Sequence, residues 1–412
     1  MGRRRSRLRG TDEPVRCGRR VRHLARGAAA VTGKPVTSRL AQVRKIAVLR
    51  PNAVGDFVFA LPALHALRRA YPDAELVLLG LPWHAAFLDG RPGPVDRVLL
   101  VPPLGGIGLP PGADDGGAAR RFIDAMQGEA FDIACQMYGG GRYANPLVSS
   151  FGARLTVGAR ADGAPPLDRW VRHAEPNNRR LALLGIAALA GAAELTLGQE
   201  LAVTPADRRQ AARALSQATA QVAPVTSGAL LSPPSPSSSA VPLVLLQPGS
   251  TDPRRCWPAQ SFAAVGDALA RMGAIVAVNG TAAEAPLVRR AIAAMASPAI
   301  DLSGKLDVGG LCGLIERAAC VVSNDTGPLH LALAIGTPSV GIFWLTNLID
   351  GMPLRQGLLR AALSVRQDCP ECGAPNLASR CEHDASFVAD VPVEQVVALA
   401  AAALREGQGA SG

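Results

Sequence analysis

Short apolar runs that end in a glycine-bearing polar turn, each followed by a helical stretch, recur in two separate blocks of this 412-residue chain. In the first block "KIAVLR" (45–50) passes through "PNAVGD" (51–56) into "FVFALPALHALRRAYP". Apolar positions 57, 61, 64 and 67 of that stretch have helical spacing. Pro62 must lie in a first turn or kink the helix. "AELVLLG" (74–80), "VDRVLLVP" (95–102) and "FDIACQM" (131–137) are further strand candidates. The rhythm restarts at "VPLVLLQPG" (241–249), followed by helical "QSFAAVGDALARMG" (260–273), with Gly273 as its stop, and "AIVAVNG" (274–280). Helices over 286–296 and 311–319, a strand over 320–325, the helix "GPLHLALAIG" and a strand over 338–344 complete it. Strands that alternate with helices are joined by crossovers and therefore run parallel. The expected fold is α/β: two Rossmann-like domains, with a cleft facing the carboxyl ends of both sheets.

The segment between the blocks, "SQATAQVAPVTSGALLSPPSPSSSAVP" (216–242), is rich in Ser, Pro and Ala and nearly uncharged, which fits a linker or surface insertion. The expected organisation is a basic, disordered tail over 1–44 and an N-terminal Rossmann-like domain over 45–205. A helix and linker over 206–241 then lead to a C-terminal Rossmann-like domain over 242–400.

A formal charge of +10 suggests nucleic acid until its distribution is considered. Residues 1–44 hold twelve arginines and Lys34 against Asp12 and Glu13, a net of +11; the remaining 30 basic and 31 acidic residues leave −1. The body is neutral, so no nucleic-acid partner is expected, and the tail offers at most a contact with an anionic surface. The tail lacks the apolar core of a secretion signal, and "LALLGIAALAGAAEL" (181–195) is shorter than the roughly 20 residues that span a bilayer. The expected location is the cytoplasm, with peripheral contact at the inner face of its membrane as an option.

Three turns carry polar chemistry. Gly55-Asp56 puts an acid at the carboxyl edge of the first sheet, where α/β folds bind ligands; an acid there also serves as a plain helix cap. The turn has one Gly and no complete phosphate fingerprint. "QPGSTDPRRCWP" (247–258) offers Ser250, Thr251 and backbone donors to a phosphate, with Arg254 or Arg255 to neutralise it; solvated loop arginines are the plain alternative. In "SNDTGPLH" (323–330), Asp325 or Thr326 caps a helix, Gly327 allows close approach, and Pro328 fits the first turn, where its missing N–H costs nothing. Free N–H groups and the helix dipole then favour an anion. Asp325 would repel a phosphate, so it holds the loop or a sugar hydroxyl instead. His330 lies one turn inside.

Eight cysteines occur, five of them scattered. "CPECGAPNLASRCEH" (369–383) gathers Cys369, Cys372, Cys381 and His383. Four soft ligands suit tetrahedral zinc, but a C-x-H ending is unlike common zinc spacings. A reduced thiol cluster packing a loop is the plainer expectation, and no metal is assigned.

In order and spacing these motifs resemble the ADP-heptose:lipopolysaccharide heptosyltransferase family, glycosyltransferase family 9. The resemblance runs over about 45–400 and rests on the 45–80 block, "LQPGSTDPRRCWPAQSFAAVGDAL", "VNGTAAEAPLV", "DLSGKLDVGGLCGLIERAACVVSNDTGPLHLALAIGTPSVGIF" and the late cysteines. It implies a GT-B fold, with the acceptor on the N-terminal domain and the nucleotide-sugar on the C-terminal one. It places the general base at Asp56, the basic residue before Trp-Pro at Arg255, and the Asp-Thr/Ser-Gly-x-x-His motif at Asp325, Thr326, Gly327 and His330. Glu284 matches an acid that contacts the nucleotide ribose. The implied reaction is inverting transfer of a heptose or related sugar from an ADP-sugar to a lipopolysaccharide core or similar glycan. It needs no cofactor and no Mg²⁺. The alternatives are another sugar on another nucleotide, or a non-catalytic nucleotide-sugar-binding protein. Trp344 stands where relatives often have Gly, which points to an altered nucleotide pocket.

Overall fold

A computed structural model describes residues 39–220, 241–377 and 380–409. Most of the basic tail and most of the Ser/Pro-rich linker lie outside the described residues.

The first block builds β1 (Lys45–Leu49), α1 (Val54–Ala70), β2 (Glu75–Gly80), α2 (Pro82–Leu88), β3 (Arg97–Leu100) and α3 (Ala118–Gly128). It continues through β4 (Ile133–Gln136), α4 (Ala144–Ser149), β5 (Leu155–Arg160), β6 (Arg169–Arg172), α5 (Arg179–Leu189) and α6 (Pro205–Thr219). The second block builds β7 (Leu243–Gln247), α7 (Ala259–Arg271), β8 (Ile275–Val278), α8 (Ala285–Ala293), β9 (Ile300–Asp301) and α9 (Val308–Arg317). It ends with β10 (Cys320–Asn324), α10 (Gly327–Ile335), β11 (Ser339–Trp344), α11 (Leu345–Gly351), β12 (Leu359–Ser364) and α12 (Val393–Gly409).

Both blocks give a six-stranded, wholly parallel sheet with the same order, β3-β2-β1-β4-β5-β6 and β9-β8-β7-β10-β11-β12. The strand order reverses beside β1 in one sheet and beside β7 in the other, and the open crevice of such a sheet lies there, at the strands' carboxyl ends. Each strand preceding those crevices is an unbroken apolar run because helices cover both its faces. In β1 residues Ile46 to Leu49 are buried, and in β7 all five residues are. Pro62 lies well inside α1 rather than in its first turn, among buried neighbours. Its missing N–H removes one helical hydrogen bond.

One apolar core runs through α1, α5 and α6 into α9 and α10, and so joins the two sheets' helical layers. A buried ion pair reinforces this junction. Arg91, after α2, forks onto Asp207 of α6, with Nη1–Oδ2 at 2.7 Å and Nη2–Oδ1 at 3.0 Å. Asp207 also closes the capping box of α6 with Thr204. Among the described residues no helix is long and apolar enough to cross a membrane.

His84 in α2 is fully buried, with its ring stacked 3.7 Å from Trp83 and its Nδ1 accepting from the Leu81 amide at 3.0 Å. Burial pushes it from 6.5 down to about 4. Between those values the unfolded chain binds a proton that the folded chain refuses, so stability falls as pH drops from 6.5 to 4. His84 alone accounts for about 3 kcal/mol of that fall. Chemical denaturation across this window should show the decline, and His84→Gln should make it shallower.

Candidate active site

The candidate residues of the three polar turns line one cavity of about 350 Å³ between the sheets' carboxyl edges, except Arg254, whose guanidinium is taken up by Asp252, with Nη2–Oδ2 at 2.7 Å. Asp56 enters from the start of α1, and Ser250, Thr251 and Arg255 from the turn after β7. Glu284 comes from the start of α8, and Asp325, Thr326, Gly327 and His330 from the start of α10.

Two helix N-termini meet there almost in backbone contact. A Cβ added to Gly327 would lie 3.4 Å from Gly55 N and 3.4 Å from Val54 Cβ; one added to Gly55 would lie 3.5 Å from Gly327 Cα. Neither start is closed by a side-chain cap. Ala53 is the N-cap of α1 and Thr326 that of α10, and neither side chain accepts a hydrogen bond from its helix. The expectation that Asp56, Asp325 or Thr326 caps its helix therefore fails, because both acids are engaged by cations and a histidine instead. The uncapped N–H groups and both helix dipoles leave a positive field at this point.

Asp325 is the hub. Its Oδ1 meets His330 Nε2 at 3.0 Å, and its Oδ2 meets Arg255 Nη1 at 3.3 Å. Burial alone would raise the Asp325 carboxyl, but His330 and Arg255 more than offset it and hold it below the ordinary carboxylate value. Burial pushes His330 below its ordinary value, against the pull of Asp325. A neutral imidazole that donates Nε2–H to a carboxylate satisfies both directions. The His330 ring packs 4.5 Å from Phe59 of α1, and its Nδ1 is buried without a hydrogen-bond partner. His330 thus fixes the loop and the junction of the two halves. Arg255 Nε is buried without a hydrogen bond, 4.0 Å from Asp252 Oδ2.

Glu284 Oε2 accepts from the Thr281 amide at 2.8 Å and from Thr281 Oγ1 at 3.0 Å. It crosses so close to the β7 turn that a Cβ on Gly249 would sit 1.9 Å from Oε1. Trp344 does not reshape this pocket. It is buried on Phe387, with ring centroids 4.7 Å apart, and its Nε1 donates to Arg366 O at 2.6 Å.

Three charged groups at the cleft escaped the sequence reading. Asp56 Oδ1 is held by Arg50 Nη2 at 3.2 Å and Arg179 Nη1 at 3.4 Å, and Arg179 reaches Asp350 at 3.5 Å. Arg50 is buried behind the turn and also donates to the Asp56 carbonyl. These groups form the floor between the first cavity and a second of about 430 Å³ that runs toward β6 and α5 and is lined by Asn52, Asp56, Arg172, His173 and Asp350. Arg50 follows β1 directly and could have been noticed for that. Arg179 and Asp350 lie far from any motif.

Because Asp325 raises His330 against burial, Asp325→Asn should lower the His330 titration midpoint further, read from its imidazole Cε1–H resonance. The same variant should destabilise the chain by about 1–3 kcal/mol, since it weakens the acceptor of the buried His330 Nε2–H and removes one partner of Arg255. An unchanged midpoint would mean that the pair is not coupled.

Lipooligosaccharide heptosyltransferase 2 of Haemophilus influenzae is 28% identical over 111 residues, 26% of this chain and 32% of that protein. Lipopolysaccharide heptosyltransferase 3 of Escherichia coli K12 is 25% identical over 158 residues, 38% of this chain and 44% of that protein. The chain thus spans from a third to under half of these relatives' lengths. A glycosyl transferase family 9 structure from Veillonella parvula superposes with a TM-score of 0.69 at 18% identity, over 90% of this chain and 99% of that one. The E. coli ADP-heptose lps heptosyltransferase II gives 0.65 at 18%, over 88% and 99%. The fold is GT-B. The model of glycosyltransferase family 9 (heptosyltransferase) matches residues 119–372, more than half of the chain, which therefore belongs to that family.

Proposed function

We propose that this protein is an inverting glycosyltransferase that moves a heptose from ADP-heptose to a hydroxyl of a lipopolysaccharide-core or similar cell-surface glycan. The observation that carries this reading is the single cavity that unites Asp56 from one half with Arg255 and the α10 start from the other. Relatives named as heptosyltransferases supply the sugar class. The donor occupies the C-terminal half and the acceptor the N-terminal half, through the larger cavity. The domain limits we adopt are 45–205 and 242–400.

In the reaction the acceptor oxygen attacks the anomeric carbon as its proton passes to the Asp56 carboxylate. The bond from that carbon to the β-phosphate oxygen breaks, and the nucleoside diphosphate leaves with the bonding electron pair. Both guanidinium contacts to Asp56 fall on Oδ1, so the proton goes to Oδ2. Negative charge grows on the departing phosphate, where the N–H groups at the α10 start, Thr251 and the Arg255 guanidinium stabilise it. These interactions strengthen as the bond breaks, so they lower the barrier rather than tighten ground-state binding alone. Glu284 accepts from the nucleotide ribose. No cofactor is required. The residues assigned to binding are Ser250, Thr251, Arg255, Glu284, Asp325, Thr326, Gly327 and His330. The reaction belongs on the cytoplasmic side of the membrane, where peripheral contact would bring a glycolipid acceptor to the cleft.

Asp56→Ala should lower transfer by about 10²–10⁴-fold while donor binding, measured by calorimetry, stays within a few-fold. Retained transfer would remove Asp56 from the base role. ADP-heptose should raise the melting temperature more than uridine or guanosine diphosphate sugars do; a preference for one of those would reassign the donor. Gly249→Ala should displace the Glu284 carboxylate, weakening nucleotide binding about tenfold with little change in melting temperature. Unaltered nucleotide affinity would dissociate Glu284 from the ribose.

A further inference from the structure

We propose that Cys369, Cys372, Cys381 and His383 bind one structural zinc ion that fixes the segment behind the phosphate turn. Their ligand atoms all lie within 4.8 Å of one another. The three sulfurs are free thiols, so no disulfide competes for them. Three sulfurs and one imidazole nitrogen are a closed tetrahedral donor set, and thiolates about 3.8 Å apart around a zinc with 2.3 Å bonds require only a small contraction. Four-coordinate sites without an open position are structural rather than catalytic.

The local backbone is shaped for this. Cys369 N donates to Ala374 O at 2.9 Å and Gly373 N to Cys369 O at 2.9 Å, closing a tight turn that brings two cysteines to one side. Asp368 bridges Pro375, and Asn376 N donates to Gln367 O at 2.9 Å, so the turn is pinned at its base. Buried Asn376 then holds the third ligand: its Nδ2 donates to Cys381 Sγ at 3.3 Å, and its Oδ1 accepts from Cys381 N at 3.3 Å. His383 Nδ1 is buried with no hydrogen-bond partner, while its Nε2 faces Glu371 Oε2 at 3.7 Å. A metal on Nδ1 supplies the missing partner, and the carboxylate orients the ring from the other side, as outer groups do at zinc sites.

The place of the cluster gives it a consequence. Just after His383, Ser386 Oγ donates to Cys256 O at 2.7 Å and Phe387 N to Arg254 O at 2.8 Å. Trp257 Nε1 donates to Val391 O at 3.1 Å. The segment that follows the ligands is therefore bonded to both ends of the turn that carries Arg255. Among the described residues, the Cys381 end is tied to the Cys369 turn by the Asn376 bonds, by apolar packing and by the exposed His383–Glu371 contact, and a metal would add a direct link between all four ligands. The metal assignment stands apart from the sugar chemistry, because its readouts are metal content and stability.

Full-length protein purified without a polyhistidine tag should carry about one zinc per chain after dialysis. Cobalt exchanged into the wild-type protein should show the intense visible absorption of a tetrahedral thiolate site. A strong chelator should lower the melting temperature, and added zinc should restore it. Cys381→Ser and Cys372→Ser should each cut zinc content at least several-fold. Because a variant that fails to fold would also lose metal, the wild-type cobalt spectrum is decisive. Wild-type protein with far less than one equivalent of zinc and no tetrahedral cobalt spectrum overturns the site. A different metal at full occupancy on these four ligands overturns its assignment to zinc.

Discussion

The near contact between Gly55 and Gly327 is the constraint on which the cleft depends. Each glycine starts a helix that leaves a central strand of its own sheet, and their backbones meet with room for hardly more than a Cβ between them. Two helix starts with unfilled N–H groups are forced together, which concentrates positive potential at one point. A Cβ at either position would sit in ordinary contact, whereas a longer side chain would push the halves apart and separate Asp56 from Arg255. His330 and Phe59 seal the same junction from within, so the loop holding Asp325 is fixed by the opposite half.

The ion pair between Arg91 and Asp207 and the bonds from Asn178 and Arg180 to the carbonyls around Met352 act at other edges of this junction. Arg180 is fully buried; burial lowers it to about 10, and its guanidinium lies 4.8 Å above the Phe59 ring. Such groups are costly to desolvate and are tolerated only because carbonyls, carboxylates or ring faces receive them. They make the relative placement of the halves specific, where apolar packing alone would let them slide.

The strands and the helices around the cleft were legible because parallel strands buried on both faces are written as unbroken apolar runs. β1, β2, β7, β10 and β11 all lie inside the stretches their composition marked. The site turns were legible for a related reason: a strand that leaves through glycine into hydroxyls and an acid has few plain explanations once it recurs. β9, only two residues long, gave no such signal. Arg50, Arg179 and Asp350 were invisible as a set because they meet only through tertiary contact. The role of Asp325 was misassigned in part, since an acid before a helix is locally a cap, and only the fold brings His330 and Arg255 to it. The late cysteines were legible as a cluster, but their convergence depends on Asn376 and on a turn that spacing alone does not define.

Under the proposed reaction the cleft must hold an anion, and its charge balance limits how. Asp56, Glu284, Asp325 and Asp350 line the smaller cavity with Arg179 and Arg255, so formal charge alone would repel a diphosphate. The acids, however, are occupied. Asp56 is shared by two arginines, Asp325 by His330 and Arg255, and Glu284 is turned onto Thr281. Among the described residues, the N–H groups at the α1 and α10 starts have no side-chain cap, while Arg255 Nε, buried without a hydrogen bond, lies 4.0 Å from Asp252 Oδ2. Under the proposed reaction, anion affinity therefore rests on oriented dipoles and a guanidinium shared with Asp325 and Asp252, not on an excess of cations. A site of that kind favours charge that develops at a fixed place over charge that merely arrives, which suits a departing phosphate better than a resting one.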